Sequence, residues 1–238
     1  MKAAVREVTT EHRWYGYRRV TLQLRRQGHR VNHKRVQRLM QDLGLQVRKN
    51  ARKYQSYRGP GHKEITNRLQ RDFTATAPNT RWVTDVTEFT VGTEKCYLSP
   101  ILDLYNREII AFQIARRPTL DLVQGMLRKG LRTLPPGATP LIHSDQGWHY
   151  QHAAYRQVLT EKGLTQSMSA KGNCYDNAAM ESFFGLLKNE MFYGSHFDSI
   201  DQLQVAIRRY IRYYNYKRLK TKLNGLSPVE YRLRAAAT

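Results

Sequence analysis

The sequence predicts an α/β protein in which a mixed sheet is flanked by helices and preceded by a small N-terminal helix-turn-helix-like region. Three features predict it. Three β-branched or aromatic runs follow one another between Trp82 and Ala115, helix-like and strand-like stretches alternate from Leu120 onward, and a short basic helical pair precedes them across a segment with no apolar period. With 238 residues, 40% of them hydrophobic, the chain is long enough to bury one sizeable core and a smaller second one.

Taken in order, Val20, Leu22 and Leu24 precede a break at Gly28, after which Asn32 opens a stretch carrying Val36, Leu39, Met40 and Leu43. Asn is a favoured helix N-cap and Gly44 a favoured stop, so two short helices joined by residues 27–31 resemble a helix-turn-helix. Arg18, Arg19, Lys34, Arg35 and Arg38 stud this pair and are its candidate DNA contacts, because the charge is overwhelmingly of one sign. Beyond Gln46 the chain is basic and aperiodic through Gly59-Pro60-Gly61. The expected division is a helix-turn-helix-like region over 1–58, a linker over 59–77 and a catalytic core with C-terminal helices over 78–238.

At Trp82 the pattern changes. Trp82 to Val91, Cys96 to Leu104 and Glu108 to Ala115 read as three consecutive antiparallel strands, separated by Gly92-Thr93-Glu94 and Asn106-Arg107. Leu120 to Leu134 reads as a helix ended by Pro135-Pro136-Gly137, Leu141 to His143 as a short strand, Ala153 to Lys162 as a helix and Leu164 to Met168 as another strand. Helices over Asn177 to about Tyr193 and Ile200 to about Tyr216 close the series. The order β-β-β-α-β-α-β-α is that of ribonuclease-H-like folds.

Forty Lys and Arg against 19 Asp and Glu give a formal charge of +21, a balance that points to a polyanionic partner. The excess is uneven: residues 1–76 hold 19 basic and 5 acidic side chains, whereas 77–176 hold 11 and 9. Acids concentrated in the one nearly neutral third of such a chain invite a metal reading. No apolar stretch approaches the roughly 20 residues of a membrane span, and the first residues do not resemble a signal peptide, so the expected address is cytoplasmic. Cys96 and Cys174 are too few for a disulfide framework or a CxxC zinc knuckle.

Three carboxylates stand out. Asp85 lies within Trp82-Val83-Thr84-Asp85-Val86-Thr87-Glu88-Phe89, where alternation puts it on the face of Val83, Thr87 and Phe89, and Asp is depleted from strand interiors unless something compensates it. Asp145 ends the strand Leu141-Ile142-His143-Ser144, and the C-terminal ends of strands are where open sheets often form sites. Around the helix from Asn177 to about Tyr193, Met180, Phe183, Leu187 and Met191 form an apolar stripe, with Asn177, Glu181 and Lys188 together at its edge within about 40°. Taken singly, each has an ordinary explanation as a turn aspartate, a solvated glutamate or a snorkelling lysine.

Together they have another. The run His143-Ser144-Asp145-Gln146-Gly147, the 35 residues between Asp145 and Glu181, and the run from Asn173 to Phe184 resemble the DDE transposases of the retroviral-integrase superfamily. The nearest resemblance is to the second-open-reading-frame protein of bacterial copy-out/paste-in insertion sequences, and it extends from about Tyr15 to Tyr231. The resemblance implies that Asp85, Asp145 and Glu181 are the catalytic, metal-binding carboxylates and that Lys188 holds a phosphate near the scissile bond. Two Mg²⁺ or Mn²⁺ ions are implied, since carboxylate oxygens suit hard cations and phosphodiester transfer uses one ion at the attacking oxygen and one at the leaving oxygen. Asp103, Asp176 and Asn177 lie in family-like segments and are expected to support the site or the fold around it.

The implied partner is double-stranded DNA, both element ends and target, engaged by a homo-oligomer in association with the bacterial nucleoid. Members of this kind are usually joined by frameshifting to an upstream frame that supplies a coiled coil, and no heptad run is present here, so cooperation with that product is expected. The zinc module of retroviral integrases has no counterpart, because His29 and His33 lack a cysteine pair. Two rival readings share part of this pattern: a DNA-binding module without catalysis, and a ribonuclease-H-like nuclease that cuts with water only. A tyrosine recombinase is disfavoured, because none of the eight histidines begins a His-x-x-Arg segment.

Overall fold

The structure is a computed structural model that describes residues 1–47, 65–169 and 177–237. Its chain divides into two compact units, Met1–Arg52 with Arg212–Thr238, and Lys53–Ile211. Residues 212–238, which the sequence reading assigned to the catalytic core, thus fall with the N-terminal helices. The linker expected over 59–77 lies partly outside the described residues, and its described part, from Ile65, contains no helix or strand.

The larger unit is built on a six-stranded sheet of β1 (Arg81–Thr84), β2 (Thr87–Val91), β3 (Glu94–Asp103), β4 (Ile109–Ala115), β5 (Leu141–Ser144) and β6 (Thr165–Met168). The strand order is β2-β3-β1-β5-β6, with β4 also on β3. β1, β2 and β4 run antiparallel to β3, whereas β1 and β5, and β5 and β6, run parallel. This is the mixed sheet expected from the element order.

One expected strand is in fact two. The run from Trp82 to Val91 breaks at Asp85-Val86 because Asp85 Oδ1 accepts the Val86 amide at 2.7 Å, occupying a donor that a continuous ladder would use. Asp85 is therefore not a residue on the face of one continuous strand but the first residue past β1, and the two halves pair with successive parts of β3.

Helix α4 (Leu120–Leu131) packs its buried face, including Val123, Met126 and Leu127, against Trp82, Ile101 and Ile142 of the sheet. The approach is close at Gly130, where a Cβ would stand 2.6 Å from Ile101 Cδ1. The short helix α5 (Trp148–Gln151), not anticipated from sequence, leads into α6 (Ala153–Glu161). Helix α7 (Ala178–Leu187) buries Met180, Phe183, Phe184 and Leu187 and then widens into a π-helical turn, Lys188–Phe192. That widening removes Met191 from the buried stripe predicted for it, leaving it half-buried. Helix α8 spans Ile200–Tyr216.

The smaller unit contains α1 (Lys2–Glu11), α2 (Tyr17–Arg26), α3 (His33–Asp42) and, from the other end of the chain, α9 (Pro228–Ala236). Asn32 caps α3 as expected, its side chain accepting the Lys34 amide at 2.9 Å. Val5 and Val8 of α1, Val20 and Leu24 of α2, Val36 and Met40 of α3 and Leu219 form one buried cluster. Helix α1 went unnoticed because it offers only those two buried apolar residues. Helix α9, not anticipated from sequence, starts at a capping box, Ser227-Pro228-Val229-Glu230, with proline in the first turn. Among the described residues, no helix is long and apolar enough to cross a membrane.

Candidate active site

The parallel pairing of β1 with β5 sets the geometry. Its last register pair is Val83 with His143, and Asp85 and Asp145 each follow two residues later, so two carboxylates emerge side by side from adjacent strand ends. His143 holds that edge of the sheet in place: its buried ring bonds Ser167 Oγ at 2.8 Å and Ser169 Oγ at 3.1 Å, tying β5 to β6. Asp85 is only 7% exposed. Asp145 accepts the Gly147 amide at 2.9 Å, and a Cβ at Gly147 would come within 3.0 Å of the same carboxylate oxygen, so the turn beyond β5 is shaped around this side chain. Burial pushes the Asp145 carboxyl above its ordinary range, against the opposing pull of the Gly147 amide and His149.

Tyr150 connects the two. It is buried, its hydroxyl lies 3.4 Å from Thr84 Oγ1, and its ionisation is pushed well up by burial and by the negative charges of both Asp85 and Asp145. It serves as a neutral floor beneath the carboxylate pair.

Helix α7 is pinned to the same end of the sheet. Asn177 Nδ2 donates to the Thr84 carbonyl at 3.2 Å, while its Oδ1 is buried with no hydrogen-bond partner among the described residues. Glu181 lies one helical turn further on, half-buried, with burial pushing its carboxyl upward. Lys188, at the start of the π turn, places Nζ over the Phe89 ring at 5.3 Å from its centroid. Burial lowers its ammonium from the ordinary range, opposed by the charges of Glu88 and Asp85. Glu88 itself pairs with Lys95 at 3.0 Å.

Asp85, Asp145 and Lys188 thus meet at one end of the sheet, and Glu181 stands on the helix anchored there. Among the described residues, no three His, Cys, Asp or Glu side chains draw together as a ligand cluster. The donor set nevertheless suits a hard divalent cation: the carboxylates offer oxygen only, burial disfavours the anionic form of Asp145 and Glu181, and an unpaired carbonyl oxygen of Asn177 lies at the base of α7. A bound cation would reverse the cost of keeping those anions out of water.

The remaining expected residues fall elsewhere. Asp103 is fully buried opposite Trp82, three residues back along β1 from Asp85 and so roughly 10 Å away. Its carboxylate accepts the amides of Asn79 at 2.7 Å and Tyr105 at 2.8 Å, which makes it a latch on the loops at the far end of that strand. Asp176 lies outside the described residues. In the smaller unit Lys34, Arg35 and Arg38 are exposed on α3, as is Arg18 on α2. Arg19 is turned inward, bonding the Trp14 carbonyl at 2.8 Å and lying over the Tyr15 ring. Sequence reasoning missed Tyr150, His149 and Phe89. The signal for the first two was the Trp148-His149-Tyr150 run directly after Asp145-Gln146-Gly147, aromatic residues where a solvent loop would be polar.

A parallel strand pair presenting carboxylates beside a helix that carries a third and leads into Lys188 defines the class, an integrase-type catalytic core on a ribonuclease-H-like sheet. Comparisons with known proteins agree. The chain matches the family described as "Integrase core domain" over residues 75–174 and again over 181–235, and an "HTH-like domain" over residues 1–54. It is 50% identical over 233 residues to the putative transposase InsK for insertion sequence element IS150 of Escherichia coli (strain K12), covering 98% of this chain and 82% of that protein. It is 52% identical over 203 residues to an uncharacterized transposase-like protein of Haemophilus influenzae, covering 85% of this chain and 94% of that one. Among solved structures, the HTLV-2 integrase catalytic core domain in complex with magnesium (dimeric form) superposes with a TM-score of 0.53 at 17% identity, covering 67% of this chain and 99% of that one, which shows a shared fold. The chain belongs to the integrase-core transposases of bacterial insertion sequences, the family of the IS150 and IS3 proteins.

Proposed function

We propose that this chain catalyses divalent-metal-dependent cleavage of DNA at the ends of an insertion sequence and transfer of the freed 3′ hydroxyl to a second phosphodiester. The observation that carries the reading is the β1–β5 register, which delivers Asp85 and Asp145 side by side above Tyr150. These two and Glu181 would hold two Mg²⁺ or Mn²⁺ ions, which when bound activate the attacking oxygen and stabilise the leaving one. The protein's part is placement. The strand ends fix two carboxylates, Asn177 fixes the helix that carries the third, and the Tyr150 phenol, kept neutral, adds no further negative charge. Lys188 provides a point charge for a phosphate oxygen beside the scissile bond, its ammonium held near Asp85 before DNA arrives.

Lys34, Arg35 and Arg38 on the exposed side of α3, with Arg18 and Arg19 of α2, supply the duplex contacts of the smaller unit, with Arg19 acting through the packing of α2. The chain works as a homo-oligomer bridging element ends and target on nucleoid DNA, together with the upstream-frame product.

Incubating the protein with a labelled duplex carrying the element end and an unlabelled second duplex tests this reading. Joined product is expected with Mg²⁺ or Mn²⁺ and none after chelation. Cleavage without joining would replace the transposase reading by that of a nuclease. Lys188→Ala is expected to retain metal binding, measured by calorimetry, while cleavage falls by about ten- to a hundredfold, the worth of a charge-assisted phosphate contact. Lys188→Arg is expected to be partly tolerated, and normal cleavage by the alanine variant would return Lys188 to the status of a surface lysine.

A further inference from the structure

Three residues beyond Asp145, the indole of Trp148 stands 52% exposed at the start of α5. The chain's other described tryptophans are Trp82, fully buried in the sheet core, and Trp14, half-buried in the smaller unit. A single exposed apolar side chain is unremarkable by itself. The setting of this one is different in two respects.

First, the indole is backed by a fixed surface. Its ring stacks on His149, with centroids 4.0 Å apart and planes 29° apart. His149 is itself buried, its Nε2 2.7 Å from the Pro118 carbonyl, and it abuts Tyr150 edge-on. One face of Trp148 is therefore covered by an immobile ring, which leaves an aromatic plane that costs little further entropy to use. Second, it follows Asp145 by only three residues. The turn between Asp145 and Trp148 is held by Asp145 itself through the Gly147 amide, and a Cβ at Gly147 would crowd that carboxylate at 3.0 Å. The backbone that carries the indole is thereby held in register with Asp145.

A flat, rigid, half-covered aromatic surface beside a phosphodiester-cutting site matches one feature of DNA: the face of a base that has left the duplex stack. Bases inside a duplex are covered on both faces by their neighbours and offer nothing to such a plane, whereas an unpaired base offers a π-face whatever its identity. Asp85 also lies low at its strand end, only 7% exposed, so a phosphate reaches it more readily where the flanking pair has opened. Resting on the active-site reading above, we propose that Trp148 is a stacking platform for an unpaired nucleobase next to the scissile phosphate, and that it selects locally opened DNA ends over fully paired ones.

The test uses the full chain and two duplexes of the same sequence, one blunt and one ending in two unpaired 2-aminopurine nucleotides, with the overhang placed on either strand in turn. Binding of one overhang to the wild-type protein is expected to quench 2-aminopurine fluorescence and to be about tenfold tighter than binding of the blunt duplex, within the range of a single base–aromatic stack. Trp148→Ala is expected to lose both the quench and the preference while binding the blunt duplex as before. Trp148→Phe, which keeps a smaller plane, is expected to retain part of each, and circular dichroism of both variants checks that the exposed position leaves the fold unaltered. Equal affinity of the wild type for blunt and opened ends overturns the proposal, as does a quench that survives in the alanine variant. So does a change in self-association caused by Trp148→Ala, which would assign the indole to a contact between copies. The readout is binding rather than cleavage. If Asp85→Asn or Asp145→Asn left cleavage normal, the active-site reading would fall on that result alone, whereas a missing quench in a protein whose cleavage does depend on those residues removes only the role of Trp148.

Discussion

Asp85→Asn, Asp145→Asn and Glu181→Gln are each expected to reduce Mg²⁺-dependent cleavage and strand transfer by roughly three orders of magnitude or more, with no loss of fold. Each change removes a negative oxygen while nearly preserving volume. At Asp85 the amide oxygen of Asn still accepts the Val86 amide, so the break between β1 and β2 survives. At Asp145 burial already disfavours the carboxylate, so a neutral amide relieves a cost, and the melting temperature is expected to stay level or rise. This pairing of lost activity with undiminished stability separates a functional carboxylate from a structural one. Asp103→Asn is the contrast: burial disfavours that carboxylate too, but both of its oxygens accept loop amides, and an Asn side chain would set its NH₂ against one of them and weaken the fold there. Carboxylates acting on one metal site fail as a unit, so Asp85→Asn combined with Asp145→Asn should be no worse than either alone. Near-normal turnover in any one of the three variants would remove that residue from the site.

Leu219→Ala is expected to destabilise the smaller unit by about 2–5 kcal/mol, the range for truncating a fully buried leucine. Leu219 is completely buried within the cluster formed by α1, α2 and α3, and its amide donates to the Tyr15 hydroxyl at 2.9 Å. A loss of that size is a large fraction of the roughly 5–15 kcal/mol by which a domain is stable. Amide hydrogen exchange should show α1, α2 and α3 losing protection while the sheet of the larger unit keeps its own. DNA binding gives a second readout. Each duplex phosphate neutralised contributes about 0.9 to the slope of log affinity against log salt, so loss of the α3 contacts flattens that slope, and Ala at Lys34, Arg35 and Arg38 together should flatten it without unfolding anything. Leu233→Ala, at an exposed position of α9, serves as the control. If Leu219→Ala left exchange in α1 to α3 unchanged, residues 212–238 would not belong to the same folding unit.

Much of this molecule was legible in its amino-acid order because the governing signals are local. Asn32 caps α3 through its own neighbour's amide, α4 stops ahead of Pro135-Pro136, and the alternation of strand and helix after Leu120 appears where the periodicity placed it. The three candidate carboxylates and Lys188 were named from a family resemblance carried by local runs and their spacing, which is also information written along the chain. Tertiary structure decided the rest. The run from Trp82 to Val91 splits because the Asp85 side chain takes the next residue's amide, but that the strand end so made stands beside Asp145 depends on the parallel pairing of β1 with β5, about sixty positions along the chain. Tyr150 became part of the site only because α5 folds beneath both carboxylates. Arg19, indistinguishable from Arg18 on paper, is drawn inward by the Trp14 carbonyl and the Tyr15 ring. Residues 212–238 join helices that lie about two hundred positions earlier in the chain, as the bond between Tyr15 and Leu219 shows. Caps and periodicities act over a few residues and are written in the sequence directly, whereas strand partners, burial and the field felt by a titratable group depend on atoms brought together only by the closed chain.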